Sequence, residues 1–140
     1  MRAMGLDVGD KTVGVAVTDE LGITVQPVTT LRRGRLDADL DALLAIGSER
    51  NVEVIVVGLP LNMNGTSGPR ADKTRKFAEA LQARASCPVE LWDERLTTME
   101  ADRILKAGDV KKQRRKDLID QLAAQLILRS WLEAHSGVEP

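Results

Sequence analysis

Leu6-Asp7-Val8-Gly9-Asp10-Lys11-Thr12-Val13-Gly14-Val15-Ala16-Val17-Thr18-Asp19 reads as a strand, a tight glycine-containing turn and a second strand. Val13, Val15 and Val17 alternate with Gly14, Ala16 and Thr18, so one face of the second strand is apolar and the other is small. A small face implies close packing by a neighbouring element. Asp7 lies inside the first apolar run, between Leu6 and Val8. A carboxylate there is costly unless a cation compensates it, and a hard divalent ion prefers oxygen ligands. Asp10 and Asp19 read as turn residues.

Outward from this hairpin, residues 23–31 read as a third strand, with Pro27 marking an edge or a bulge. The short links make the three strands an antiparallel meander. Leu36, Leu40, Leu43, Leu44 and Ile46 have helical spacing and predict a helix over 36–50, capped at Asn51. Val54-Ile55-Val56-Val57 predicts a strand buried on both faces. A polar, glycine-rich loop follows over 59–69, and Pro69 suits the first turn of a helix reaching Ala85. Val89-Glu90-Leu91-Trp92 predicts a fifth strand, ending at Asp93-Glu94-Arg95. Thr97 to Glu100 reads as a capping box, opening a helix that Gly108 ends. The basic stretch 109–116 lacks apolar anchors and is read as a loop. Leu118, Leu122 and Leu126 predict a last helix over 117–134.

These elements make one α/β domain over 1–140, a mixed five-stranded sheet of an antiparallel meander plus two parallel strands, flanked by helices. Right-handed crossovers make strands one, four and five parallel. Their C-terminal ends share one sheet edge, where open α/β sheets bind ligands. Asp7, the 59–69 loop and Asp93-Glu94 fall there. Asp120, near the start of the last helix and beside Ala123 and Ala124, supplies a third acid, and Asp117 lies close by as a secondary candidate. Three acids around one cleft repel unless neutralised, so Mg²⁺ or Mn²⁺ is the expected cofactor. Two such ions clamp the attacking and leaving oxygens of a phosphodiester displacement. His135 lies in the C-terminal tail, so metal-activated water rather than histidine is the expected nucleophile.

Composition narrows the partners. The formal net charge is −1, which excludes a globally basic nucleic-acid coat. Between Arg103 and Lys116, however, seven basic residues stand against the single Asp109, a local net charge of +6. Lys111, Lys112, Arg114, Arg115 and Lys116 are expected to hold a nucleic-acid backbone. With no tyrosine, one phenylalanine and two tryptophans, a base-stacking platform is not expected. The lone Cys87 forms no internal disulfide and reads as a small apolar residue of a reduced, cytoplasmic protein. No leader and no membrane span are expected.

The combination Gly5-Leu6-Asp7-Val8-Gly9 with Lys11, Val57-Gly58-Leu59-Pro60-Leu61-Asn62-Met63-Asn64-Gly65, Asp93-Glu94-Arg95-Leu96-Thr97-Thr98 and Ile119-Asp120 with Ala123-Ala124 resembles the YqgF family, also called RuvX-like. The resemblance covers nearly the whole chain. It implies an RNase H-like fold and a metal-dependent nuclease site in which Asp7, Glu94 and Asp120 are the acidic triad. It also implies a substrate, the 5′ end of the 16S ribosomal RNA precursor, with four-way DNA junctions as the alternative. Lys11 belongs to the first motif and is expected to face nucleic acid. Asn62 and Asn64 are expected to present donors to phosphates, or else to form a plain turn. Arg95 is expected either to bind a phosphate through its planar fork or to pair with Asp93 and orient the motif. A non-catalytic ribosome-assembly factor keeping the fold is a third reading. An actin-like ATP-binding module is a fourth, but it needs two such domains and this chain has length for one. Both a monomer and a homodimer fit the sequence.

Overall fold

A computed structural model describes residues 1–95 and 112–136, with the side chains of 112–116 and Ser136 left aside. Eight elements follow in chain order: β1 (Ala3–Val8), β2 (Thr12–Thr18), β3 (Val25–Arg32), α1 (Leu36–Glu49), β4 (Val54–Leu59), α2 (Pro69–Arg84), β5 (Val89–Asp93) and α3 (Lys112–Ser136). The sheet order is β3-β2-β1-β4-β5. β1–β2 and β2–β3 are antiparallel, while β1–β4 and β4–β5 are parallel. The meander plus two parallel strands is thus as the sequence predicts.

Strand periodicity sorts the two sides of the sheet. Met4, Leu6 and Val8 of β1, with Val13, Val15 and Val17 of β2, pack under Leu40 and Leu43 of α1 and Phe77 and Leu81 of α2. The alternate residues, Ala3 of β1 and Ala16 of β2, with Val54 and Val56 of β4, pack under Ala124, Ile127, Leu128 and Trp131 of α3. The second side is built from small residues, so α3 lies very close to the sheet. A Cβ on Gly14 would overlap the Asp120 carbonyl. That contact explains the small face of β2.

Several boundaries differ from expectation. β3 begins at Val25 because Asp19 turns the chain before it: its carboxylate accepts from the Ile23 amide at 2.8 Å and from Thr24 Oγ1 at 3.0 Å. Pro27 sits on the edge strand beside a register shift opposite Val15 and Ala16, where its missing N–H costs little. Asn51 takes a positive φ of 55° just after α1, as its capping role requires. The reading of 112–116 as a loop is wrong: α3 begins at Lys112. Lys, Gln and Arg are good helix formers, and a helix anchored downstream by apolar residues extends through them without anchors of its own. The helix expected over 97–108 lies outside the described residues, as does Lys111. No helix among the described residues is long and apolar enough to cross a membrane.

Candidate active site

The close seating of α3 brings acids together at the C-terminal edge of the sheet. Along β1 the residues facing α3 are Ala3, Gly5 and Asp7. Along α3 the residues at successive turns are Leu128, Ala124 and Asp120. A Cβ on Gly5 would press on Ala124 and Leu128, so the helix runs antiparallel to β1 and its next turn arrives over Asp7. Thr12, opposite on β2, donates from Oγ1 to Asp120 Oδ2 at 2.6 Å and ties the helix start to the hairpin.

Glu94 arrives from the other side. Its amide donates to the Leu59 carbonyl at 3.2 Å, pinning the end of β5 to the end of β4. Its side chain, only 6% exposed, lies over Gly58, where a Cβ would overlap Glu94 Oε2 and Ile127 Cδ1. The glycine is therefore the seat of the carboxylate.

Electrostatics show which acids act on each other. Burial first, and then the charge of Asp120, raise the Asp7 carboxyl against the pull of Arg70, to a pKa of about 6. Burial also raises Glu94, to about 7, with added repulsion from Asp7 and Asp93 and relief from Arg70. Asp7 is the middle member, repelled by Asp120 and itself repelling Glu94. Among the described residues, no group of three or more His, Cys, Asp or Glu side chains is gathered tightly enough to hold a metal ion as it stands. The three acids share a rim, and Asp120 is turned onto Thr12.

Other expected site residues fall in different places. Arg95 grips Asp93, Nη2 to Oδ2 at 2.6 Å and Nε to Oδ2 at 2.8 Å, and holds the Asp93 carboxyl below its ordinary range. Its Nη1 donates to the Met63 carbonyl at 3.3 Å, so it clasps the 59–69 loop to the end of β5. Of its two expected roles, the structure shows the pairing. Asn62 Nδ2 donates to Thr66 Oγ1 at 3.0 Å, and Asn64 Oδ1 accepts from the Thr66 amide at 3.1 Å. Both asparagines thus build the loop. Lys11 lies exposed in the β1–β2 turn. Asp117 faces β3, its Oδ2 at 3.6 Å from Arg32. His135 sits at the far end of α3 from Asp120, stacked on Trp131 at 4.2 Å.

Three contributors were not singled out in the sequence: Gly58, Thr12 and Arg70. Gly58 and Thr12 lie within or beside quoted motifs, and small or hydroxyl residues flanking buried acids are the available signal. Arg70 follows Pro69 at the start of α2, a position that gives no sign from sequence alone of which way it faces.

A family model described as Holliday junction resolvase, RuvX, matches residues 1–134. The chain belongs to the RuvX family. A Myxococcus xanthus relative bearing the name "Putative pre-16S rRNA nuclease" is 56% identical over 135 residues, covering 96% of this chain and 89% of its own. A Heliobacterium modesticaldum relative with the same name is 54% identical over 134 residues, covering 96% and 90%. Among solved structures, Thermus thermophilus RuvC in complex with a Holliday junction substrate aligns with TM-score 0.62 at 16% identity, covering 98% of this chain and 97% of its own. The fowlpox virus Holliday junction resolvase aligns with TM-score 0.57 at 13% identity, covering 96% and 99%. The chain thus has the fold of these resolvases, the RNase H-like arrangement that the family resemblance implies.

Proposed function

We propose that this RuvX-family chain is a metal-dependent nuclease that cleaves phosphodiester bonds in structured RNA, with the 5′ end of the 16S ribosomal RNA precursor as its substrate. The observation that carries the reading is the half-buried Asp7 carboxyl at the C-terminal edge of the sheet, raised by the charge of Asp120 and itself raising Glu94. Such a group is unfavourable in isolation and useful as a cation ligand. The all-oxygen donor set suits Mg²⁺ or Mn²⁺, and mutual repulsion of the acids is what a bound cation relieves. Asp7, Glu94 and Asp120 would hold the metal, which when bound polarises the phosphate and activates water for attack. The chain's own residues do the rest. Gly58 leaves room for Glu94, Thr12 orients Asp120, and the Arg95–Asp93 clasp fixes the loop beside them.

The start of α3 supports a polyanionic substrate. Lys112, Arg114 and Arg115 lie in its first turn, where no acid does, and Lys116 follows, although a helix N-terminus disfavours cations. A phosphate backbone offsets that cost. The names of the relatives favour ribosomal RNA, whereas the family description and the RuvC-like fold favour four-way DNA junctions as a second reading. One experiment separates them. Purified protein with Mn²⁺ is incubated with a precursor rRNA leader and with a four-way DNA junction, and the products are mapped. Cleavage of the leader, lost in Asp7→Asn, is expected. Leader cutting by Asp7→Asn at the wild-type rate contradicts the proposal, and cutting of the junction alone selects the second reading.

A further inference from the structure

Two arginines stand beside the acidic rim, and the fold uses them differently. The guanidinium of Arg95 is committed to Asp93 and to the Met63 carbonyl. Arg70, the second residue of α2, is exposed and lies at ion-pair distance from no carboxylate among the described residues. Its direction is set by its neighbours. Ala71 and Thr74 are buried against the sheet. Lys73, three residues further on, reaches Asp10 in the β1–β2 turn at 3.6 Å. Residues three apart share a helix face, so Arg70 stands one turn nearer the rim on the side that meets the end of β1. Asp7 lies at that end, and the charge of Arg70 acts on both Asp7 and Glu94.

An arginine serving only as a counter-ion would close onto the acids. This one stays open to solvent across the rim from them, and its planar fork matches two phosphate oxygens. We propose that Arg70 binds a phosphate of the nucleic-acid strand lying across Asp7 and Glu94, one of the two roles the sequence offered for Arg95. The inference rests on the nuclease reading for its substrate, and its test is separable from that reading.

The test measures binding without cleavage. In an Asp7→Asn background, Arg70→Ala and Arg70→Lys are titrated against a fluorescein-labelled RNA hairpin with a single-stranded leader, over a range of salt. Arg70→Ala is expected to weaken binding about tenfold and to lower the slope of log K against log salt by roughly 0.7–0.9. Arg70→Lys is expected to keep the slope and lose part of the affinity. Arg84→Ala, at the far end of the same helix, is expected to leave both unchanged. An Arg70→Ala chain that melts like its parent and binds with unchanged affinity and slope overturns the proposal. So does an equal loss in Arg84→Ala, or an effect of Arg70→Ala confined to Mn²⁺ affinity in the otherwise wild-type chain. A wild-type chain that cleaves nothing would sink the nuclease reading without moving the binding result.

Discussion

Alternate residues of a single strand, β1, do opposite work. Met4 and Leu6, fully buried toward α1 and α2, hold the domain together. Ala3, Gly5 and Asp7, one residue out of step, face α3, where small side chains let a helix approach and a carboxyl group is confined. The two-residue period of the strand therefore segregates stability from chemistry. A change at Leu6 should cost folding, and a change at Asp7 should cost activity with folding kept.

The sharpest way to break that contrast is to exchange neighbours. Asp7→Asn is expected to lower cleavage about 10³-fold, the loss of several kcal/mol of metal-assisted stabilisation, while the protein melts no lower than wild type. Leu6→Ala is expected to lose about 3 kcal/mol of stability, with the folded fraction still active. Equal damage to folding in both variants would erase the distinction.

Next comes the seat of Glu94. Gly58→Ala places a methyl group against Glu94 Oε2 and Ile127, so a loss of activity on the order of 10²-fold is expected, with a lowered Tm. Gly34→Ala, where a Cβ would meet nothing within 4 Å, is expected to be neutral in the same assays.

The acid side should also show itself in pH. Asp7 and Glu94 have carboxyl pKa values raised to about 6 and about 7 in the folded chain. The folded state therefore holds protons more tightly than the unfolded one, and stability falls as pH rises from about 4 to about 7. In metal-free protein the Tm is expected to drop by several degrees across that window, flattening in Asp7→Asn, which removes one titration and its repulsion of Glu94. Added Mg²⁺ should reverse the drop in wild type. A flat metal-free profile would mean that the acids are not confined together.

The smallest effect belongs to Thr12. Thr12→Val removes its bond to Asp120 and is expected to cost about 1 kcal/mol and roughly tenfold in activity, with Thr12→Ser restoring both.

The sequence made much of this legible because its local signals agree. Pro69, Asn51 and the apolar run from Val54 each mark an element end or type by a backbone rule that tertiary packing did not override. The small residues of β2 announced a close neighbour without naming it. Two things were hidden. The start of α3 was misread because a basic run has helix propensity whether or not it has anchors. The place of Arg70 beside the acids was hidden because direction, not residue type, decides what a guanidinium meets. Arg95 is turned by a neighbour two residues away, while the face of Arg70 depends on how α2 docks against a turn some sixty residues earlier in the chain.

The central claim is that Asp7, Glu94 and Asp120, far apart in sequence, make one cation site at the sheet edge. A Mn²⁺ titration followed by electron paramagnetic resonance, on wild type and on Asp7→Asn, Glu94→Gln and Asp120→Asn, tests it most directly. We expect wild-type binding to weaken at least about tenfold in each single variant, with all three still folded. Wild-type Mn²⁺ affinity retained in all three variants would contradict the account.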